Sequence, residues 1–197
     1  MHSNRYKQLF AVFLVIILFI LGACRDPEKT SPYAVGQVID SLNGVYVYYN
    51  GKVSNVTGRN LAADGYNLGQ KYQCVEFVKR YYYEYLNHKM PDSYGHAKDF
   101  FDANMKDGQK NTQRDLTQYT NPSSSKPKVG DLVIFGGTIS NWYGHVVIIS
   151  EVNENNIQII QQNPGPDRSS REYIPLIQQS GQWYIDNNRV AGWLRKE

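Results

Sequence analysis

The chain predicts an α+β fold, with N-terminal helices packed on an antiparallel sheet of about five to six strands. Three observations predict it. Apolar residues recur at helical spacing after Cys74, and again over His96–Met105. From Asp131 onward the pattern changes to short apolar runs separated by turn residues. Helices first and strands after, with short connections, favour a segregated α+β arrangement over alternating β-α-β units.

Taken in order, the 197 residues suit one domain, or one domain with a tail. Arg5 and Lys7 precede the apolar run Leu9 to Leu21, which is short for a membrane span. Small residues follow and then a cysteine, Leu21-Gly22-Ala23-Cys24. A basic region, an apolar region and a small-residue cut site describe a secretory signal peptide, the alternative being a signal anchor left in place. The cysteine at the cut resembles a bacterial lipobox. That resemblance implies residues 1–23 removed, lipidation at Cys24, and a membrane partner reached through the lipid. It also implies the cell envelope as location, with Arg25 favouring the outer membrane, facing the periplasm. Residues 24–40, polar with Pro27 and Pro32, read as a tether, and 41–197 as the domain.

Val45–Tyr49 followed by Asn50-Gly51 and Lys52-Val53 predicts a short hairpin, or else an irregular segment. The helix after Cys74 carries Val75, Val78, Tyr82, Tyr85 and Leu86 on one stripe and ends near Asn87, before Pro91. Gly65 and Gly69 mark a loop feeding it. A second amphipathic helix is expected over His96–Met105, with Ala97, Phe100, Phe101 and Met105 inward. Gln109–Lys128, polar and containing Pro122-Ser-Ser-Ser-Lys-Pro127, reads as a loop. Strands are then expected at Asp131–Phe135, His145–Ile149, Ile157–Gln161, Arg171–Pro175, Gln182–Ile185 and Arg189–Leu194. No internal repeat is visible.

Aromatic residues make up 13% of the chain, enough for a core and against disorder. The net charge of +3 falls to about +1 without Arg5 and Lys7, which gives no case for nucleic acid. There is no His-Glu-x-x-His and no cysteine or histidine cluster, so neither a metal nor another cofactor is expected. Of the two cysteines, lipidation would use Cys24. Cys74 would then stand alone in an exported protein, either as an intermolecular linker or as a reactive thiol.

Cys74 falls in the predicted first turn of a helix, where unpaired N–H groups and the dipole favour an anion and shift a thiol toward thiolate. The competing reading is a small buried hydrophobe, the commoner fate of a free cysteine. What favours a nucleophile is His145, which opens a strand after a glycine-bounded loop. A cysteine nucleophile needs such a base, and the base needs a third group to fix its ring. His88 and His96 read as surface or core residues. Trp142 and Tyr143, just before His145, read as cleft walls that bind substrate or as plain packing.

Four motifs together resemble the CHAP family of cysteine, histidine-dependent amidohydrolases and peptidases, of NlpC-type, papain-like fold. They are Tyr72-Gln73-Cys74-Val75-Glu76-Phe77, Gly130-Asp131-Leu132-Val133-Ile134, Gly144-His145-Val146 and Gln161-Gln162-Asn163, spread over roughly Val45 to Leu194. The Gln-Cys-Val-Glu-Phe core and the Gly-His-Val strand are shared with the amidase domain of glutathionylspermidine synthetase/amidase. The resemblance implies Cys74 as nucleophile, His145 as general base and acid, and Gln73 with the Cys74 N–H at the oxyanion. Gln161 would orient His145, and Asn163 matches a site asparagine. Where relatives carry Glu-Gln-Asn this chain has Gln161-Gln162-Asn163, and Lys79 stands where that amidase has an arginine in contact with substrate.

The first expectation is therefore a thiol amidohydrolase cutting peptidoglycan peptides through a Cys-His thioester. The second is the same chemistry on a glutathionylspermidine-like amide. The third, prompted by the neutral Gln161, is a non-catalytic wall-binding module.

Overall fold

The computed structural model describes residues 31–197. The expected signal segment, the expected lipidation site at Cys24 and most of the expected tether fall outside them. Tyr33–Glu197 forms one compact unit, so the folded body takes in residues 33–40, which read as tether in the sequence. No helix among the described residues is long and apolar enough to cross a membrane.

Strands β1 (Val38–Leu42) and β2 (Val45–Tyr48) form an antiparallel hairpin. Its turn is Asn43-Gly44, with φ of 49° and 84°. Those positive φ values are what an Asn-Gly hairpin turn requires. The expected hairpin at Asn50-Gly51 does not form. There the Asn50 side chain donates to the carbonyls of Lys52 and Asn55, which closes a loop in place of a strand pair.

A second hairpin, β3 (Arg59–Leu61) and β4 (Asn67–Gln70), occupies what reads as a loop before the helix. At Gly69, with φ of 131°, a Cβ would stand 3.2 Å from the Glu76 backbone, so β4 presses directly on the next helix.

That helix, α1, spans Cys74–Glu84. Its buried apolar face is Cys74, Phe77, Val78, Tyr81 and Tyr82. This is one residue round from the expected stripe: Val75 only packs at the margin and Tyr85 is exposed. The buried rings Phe77, Tyr81 and Tyr82 decide which face turns inward.

The second expected helix is reduced to a single 3-10 turn, Ala97–Phe100. His96 N–H donates to the Asp99 carboxylate and starts the turn. Beyond it the Gln118 amide takes both backbone groups of Asp102, and the Asp102 side chain caps Asn104, so the helical ladder cannot continue.

The main sheet has eight strands, ordered β11-β10-β9-β8-β7-β12-β6-β5 with every neighbouring pair antiparallel. They are β5 (Gln109–Asn111), β6 (Leu116–Thr120), β7 (Leu132–Phe135), β8 (His145–Val152), β9 (Asn156–Ile160), β10 (Arg171–Gln179), β11 (Gln182–Ile185) and β12 (Val190–Arg195). The six expected strands are present, and β5 and β6 are additional, drawn from the supposed loop. Gln118 on β6 is fully buried and bonded to Asn111 and Asp102, a polar element of the interior.

Alternation along the central strands supplies two cores. Leu132, Ile134, Val146, Ile148, Ile160 and Leu194 face α1, while Val133, Phe135, Val147, Ile149, Ile159 and Trp193 build the opposite face. The fold is α+β, mostly sheet, with one α-helix among the described residues where more than one is expected from the sequence.

Candidate active site

The site lies where the N-terminus of α1 meets the start of β8. Cys74 is the first residue of α1 and is buried. The backbone N–H groups of Val146, of Val75 and of its own residue bear on its sulfur. The nucleophile candidate is therefore carried to the peptide adjoining His145. Burial pushes its thiol pKa up, and those three donors oppose the shift without cancelling it.

Gly144 sets the start of β8. Its φ is 73°, and a Cβ there would stand 2.5 Å from the Phe135 carbonyl, so only glycine delivers the chain into His145 at this angle. His145 pairs with Phe135 across β7. Its Nε2 lies 2.9 Å from Gln161 Oε1, and Gln161 Nε2 donates to the Ser169 carbonyl at 3.1 Å. A carbonyl can only accept, which fixes the orientation of the Gln161 amide and makes Oε1 the atom facing the ring. Imidazole Nε2 must therefore carry the proton, and Nδ1 is the basic nitrogen of the neutral ring. Desolvation lowers the His145 pKa to about 4, the Gln161 bond opposes this, and the charges of Arg189 and Arg168 add to it. The resting pair is a neutral thiol and a neutral imidazole.

Gln73, the residue before the helix, is clamped. Its amide nitrogen donates to Val53 O at 3.1 Å and Asn55 O at 2.8 Å, and its Oε1 accepts from Asn163 Nδ2 at 2.7 Å. The expected oxyanion donor thus has its N–H groups on the loop after Asn50. The N–H groups of the first turn of α1 remain as donors at the sulfur. Asn163, with φ of 58°, also donates to Val53 O, and its Oδ1 is buried with no hydrogen-bond partner. Gln73 and Asn163 therefore stand together beside the nucleophile, tied to each other and to one loop.

Lys79 is not at the cleft. It is 1% exposed, donates to the carbonyls of Asn67 and Ser93, and lies 4.7 Å from the Tyr66 ring centroid. Burial lowers its pKa to about 8. It ties β4 to the segment before the 3-10 turn, which replaces the expected substrate contact with a structural one. Trp142 and Tyr143 are exposed on the loop before His145. The Tyr143 ring packs on His96 at 4.6 Å and Lys98 Nζ lies 3.9 Å from the Trp142 ring centroid, so both belong to one rim.

Sequence reasoning missed the support beneath the site. Glu76, 1% exposed, accepts from Arg80 at 2.6 Å, from Asn60 at 2.8 Å and from Gln162 at 2.8 Å. Gln162 also donates to Gln73 O and accepts from Tyr48 N–H. One carboxylate thus joins α1, β2, β3 and the end of β9 directly below Gln73. The signal was a glutamate two residues after the cysteine with an arginine four residues on, a pair placed one helical turn apart. Among the described residues no group of three or more His, Cys, Asp and Glu side chains could hold a metal.

The CHAP domain profile matches residues 64–163. Trypanothione synthetase of Crithidia fasciculata is 29% identical over 148 residues, covering 70% of this chain and 23% of that protein. The bifunctional glutathionylspermidine synthetase/amidase of Escherichia coli is 27% identical over 141 residues, covering 64% and 22%. The chain thus spans less than a quarter of the length of these curated relatives. The crystal structure of Ly7917 with the hydrolyzing product of MDP overlaps 38% of this chain and 30% of its own at 29% identity and a TM-score of 0.28, too partial a superposition to bear on the fold.

Proposed function

The chain belongs to the CHAP domain family, and from that premise we propose that it is a thiol-dependent amidohydrolase acting on peptidoglycan peptides through Cys74 and His145. The observation that carries the reading is the His145–Gln161–Ser169 chain, which leaves Nδ1 as the basic nitrogen of an imidazole one residue from Val146, whose N–H bears on the Cys74 thiol.

Nδ1 takes the thiol proton as sulfur attacks the amide carbonyl, forming a C–S bond and an oxyanion. The N–H groups of the first helical turn hold that oxyanion. The imidazolium then returns its proton to the departing nitrogen, the C–N bond breaks, and a thioester remains. Water, deprotonated by the same ring, hydrolyses it and restores the thiol. Gln161 orients the ring without a counter-charge, so the imidazolium forms at a cost, in keeping with its low pKa.

A lipid on Cys24 would hold the domain at the envelope, facing its substrate. The Leu21-Gly22-Ala23-Cys24 motif supports this reading. A glutathionylspermidine-like amide is the second reading, favoured by the bifunctional synthetase/amidase among the relatives.

The test incubates the protein with muropeptides and with glutathionylspermidine and follows both by mass spectrometry. Cleavage of a muropeptide amide that Cys74→Ala abolishes is the expected result. Loss of neither compound overturns the hydrolase reading, and loss of only the second moves the substrate to the polyamine amide.

A further inference from the structure

Three cations stand on segments that adjoin the neighbours of His145, and two of them have no carboxylate within ion-pair distance among the described residues. Arg189 is pinned at the end of β7. Its carbonyl accepts from Gly136 N–H at 2.8 Å, and its Nη2 donates back to Gly136 O at 3.3 Å. Its guanidinium lies 5.9 Å from the Phe135 ring centroid, which is 6.2 Å from that of His145. Lys98 stands on the other side. Its N–H donates to Tyr143 O at 3.0 Å, and its Cβ is 3.0 Å from where a side chain on Gly144 would begin. Arg168 sits one residue before Ser169, whose carbonyl holds Gln161; its only carboxylate partner among the described residues, Glu172, is 3.7 Å away.

Scattered surface cations are usually just solvated. These three come from the residue before β12, the 3-10 turn and the loop before β10, and each adjoins a neighbour of His145: Phe135, Tyr143 with Gly144, and the Gln161–Ser169 bond. The positive charge of both arginines is felt at His145.

We propose that Arg189, Arg168 and Lys98 form a cationic rim that selects substrates bearing a carboxylate on the leaving-amine side of the scissile amide. This rests on the hydrolase reading, in which His145 protonates the departing nitrogen and so faces that half of the substrate. The preferred class is an amide whose amine component is an amino acid or acidic peptide. A polyamine leaving group would bring like charge to the rim and is rejected. The apolar side of the same rim, Trp142 and Tyr143, stays open to the substrate's uncharged parts.

Two measurements test the rim, and the first needs no hydrolysis. Cys74 is alkylated with iodoacetate and with iodoacetamide, and the ratio of rates is compared with that for free cysteine. An enrichment of roughly tenfold for the anionic reagent is expected, within the range that focused charge gives. It should fall toward one in the triple variant Arg189→Gln, Arg168→Gln, Lys98→Gln, and in the unaltered protein at about 1 M salt, where screening reaches ~3 Å. A ratio equal to that of free cysteine overturns the proposal. The second compares hydrolysis of an acyl-amino acid with that of its carboxamide and of a matched polyamine amide. Preference for the free carboxylate that the triple variant loses supports the rim, and equal rates for all three overturn it. Enriched alkylation with no hydrolysis of any substrate leaves the rim standing and removes the hydrolase reading.

Discussion

At the scale of single residues, the decisive substitution is the neutral Gln161 beside His145. An amide accepts the ring N–H as well as a carboxylate does, so orientation survives; what it lacks is a charge to stabilise imidazolium. The His145 pKa, held near 4, places the acid limb of kcat/KM near pH 4, because activity requires the neutral base and is lost as pH falls through that value. Gln161→Glu adds an anion at 2.9 Å and raises the His145 pKa by ~1–3 units. The acid limb should move to higher pH by the same amount, as read in a pH–rate profile; an unmoved limb would mean that His145 is not the titrating base. Cys74→Ala should remove activity altogether while leaving the melting temperature within a few degrees, since a thiol is a small part of the core.

Among elements, the join between α1 and its surroundings is where local sequence has the largest effect. Glu76 and Arg80 are 1% and 5% exposed and hold each other one helical turn apart. Glu76→Gln leaves the Arg80 charge buried without its partner, and breaking such a pair costs about 3–5 kcal/mol. Calorimetry should show a lower melting temperature, and alkylation of Cys74 should change as Gln162 loses its hold on Gln73. At the other side of the site, Gly144→Ala puts a Cβ 2.5 Å from the Phe135 carbonyl at a φ of 73°. A loss of about 2 kcal/mol is expected, with a drop in activity larger than stability alone explains, because the residue displaced is His145.

For the molecule as a whole, the folded body begins at Tyr33 and includes the β1–β2 hairpin. Asp40, on β1, accepts from Ser170 at 2.7 Å and from Arg171 at 2.9 Å, closing the hairpin onto the start of β10. A chain starting at residue 31 should melt as the full chain does. One starting at residue 43 should melt lower by several degrees, by circular dichroism, and lose order near Gln161, whose backbone N–H bonds Ser170. Equal melting of the two would show that β1 contributes nothing.

By itself the sequence determined the parts of this protein that depend on local pattern. Apolar runs and turn residues marked β7 through β12, helical spacing marked α1, and four short motifs pointed to Cys74, His145, Gln161 and the CHAP family. Only the tertiary structure decided the rest. Strands β5 and β6 are polar in sequence, and Gln118 is interior because distant backbone groups of Asp102 meet its amide. Of two Asn-Gly pairs, the one with a strand on each side became the hairpin. Lys79 went to buried carbonyls, and the amide of Gln73 to a loop some 20 residues earlier. A polar side chain is satisfied by whichever partner the fold brings near, and sequence spacing carries no record of that partner.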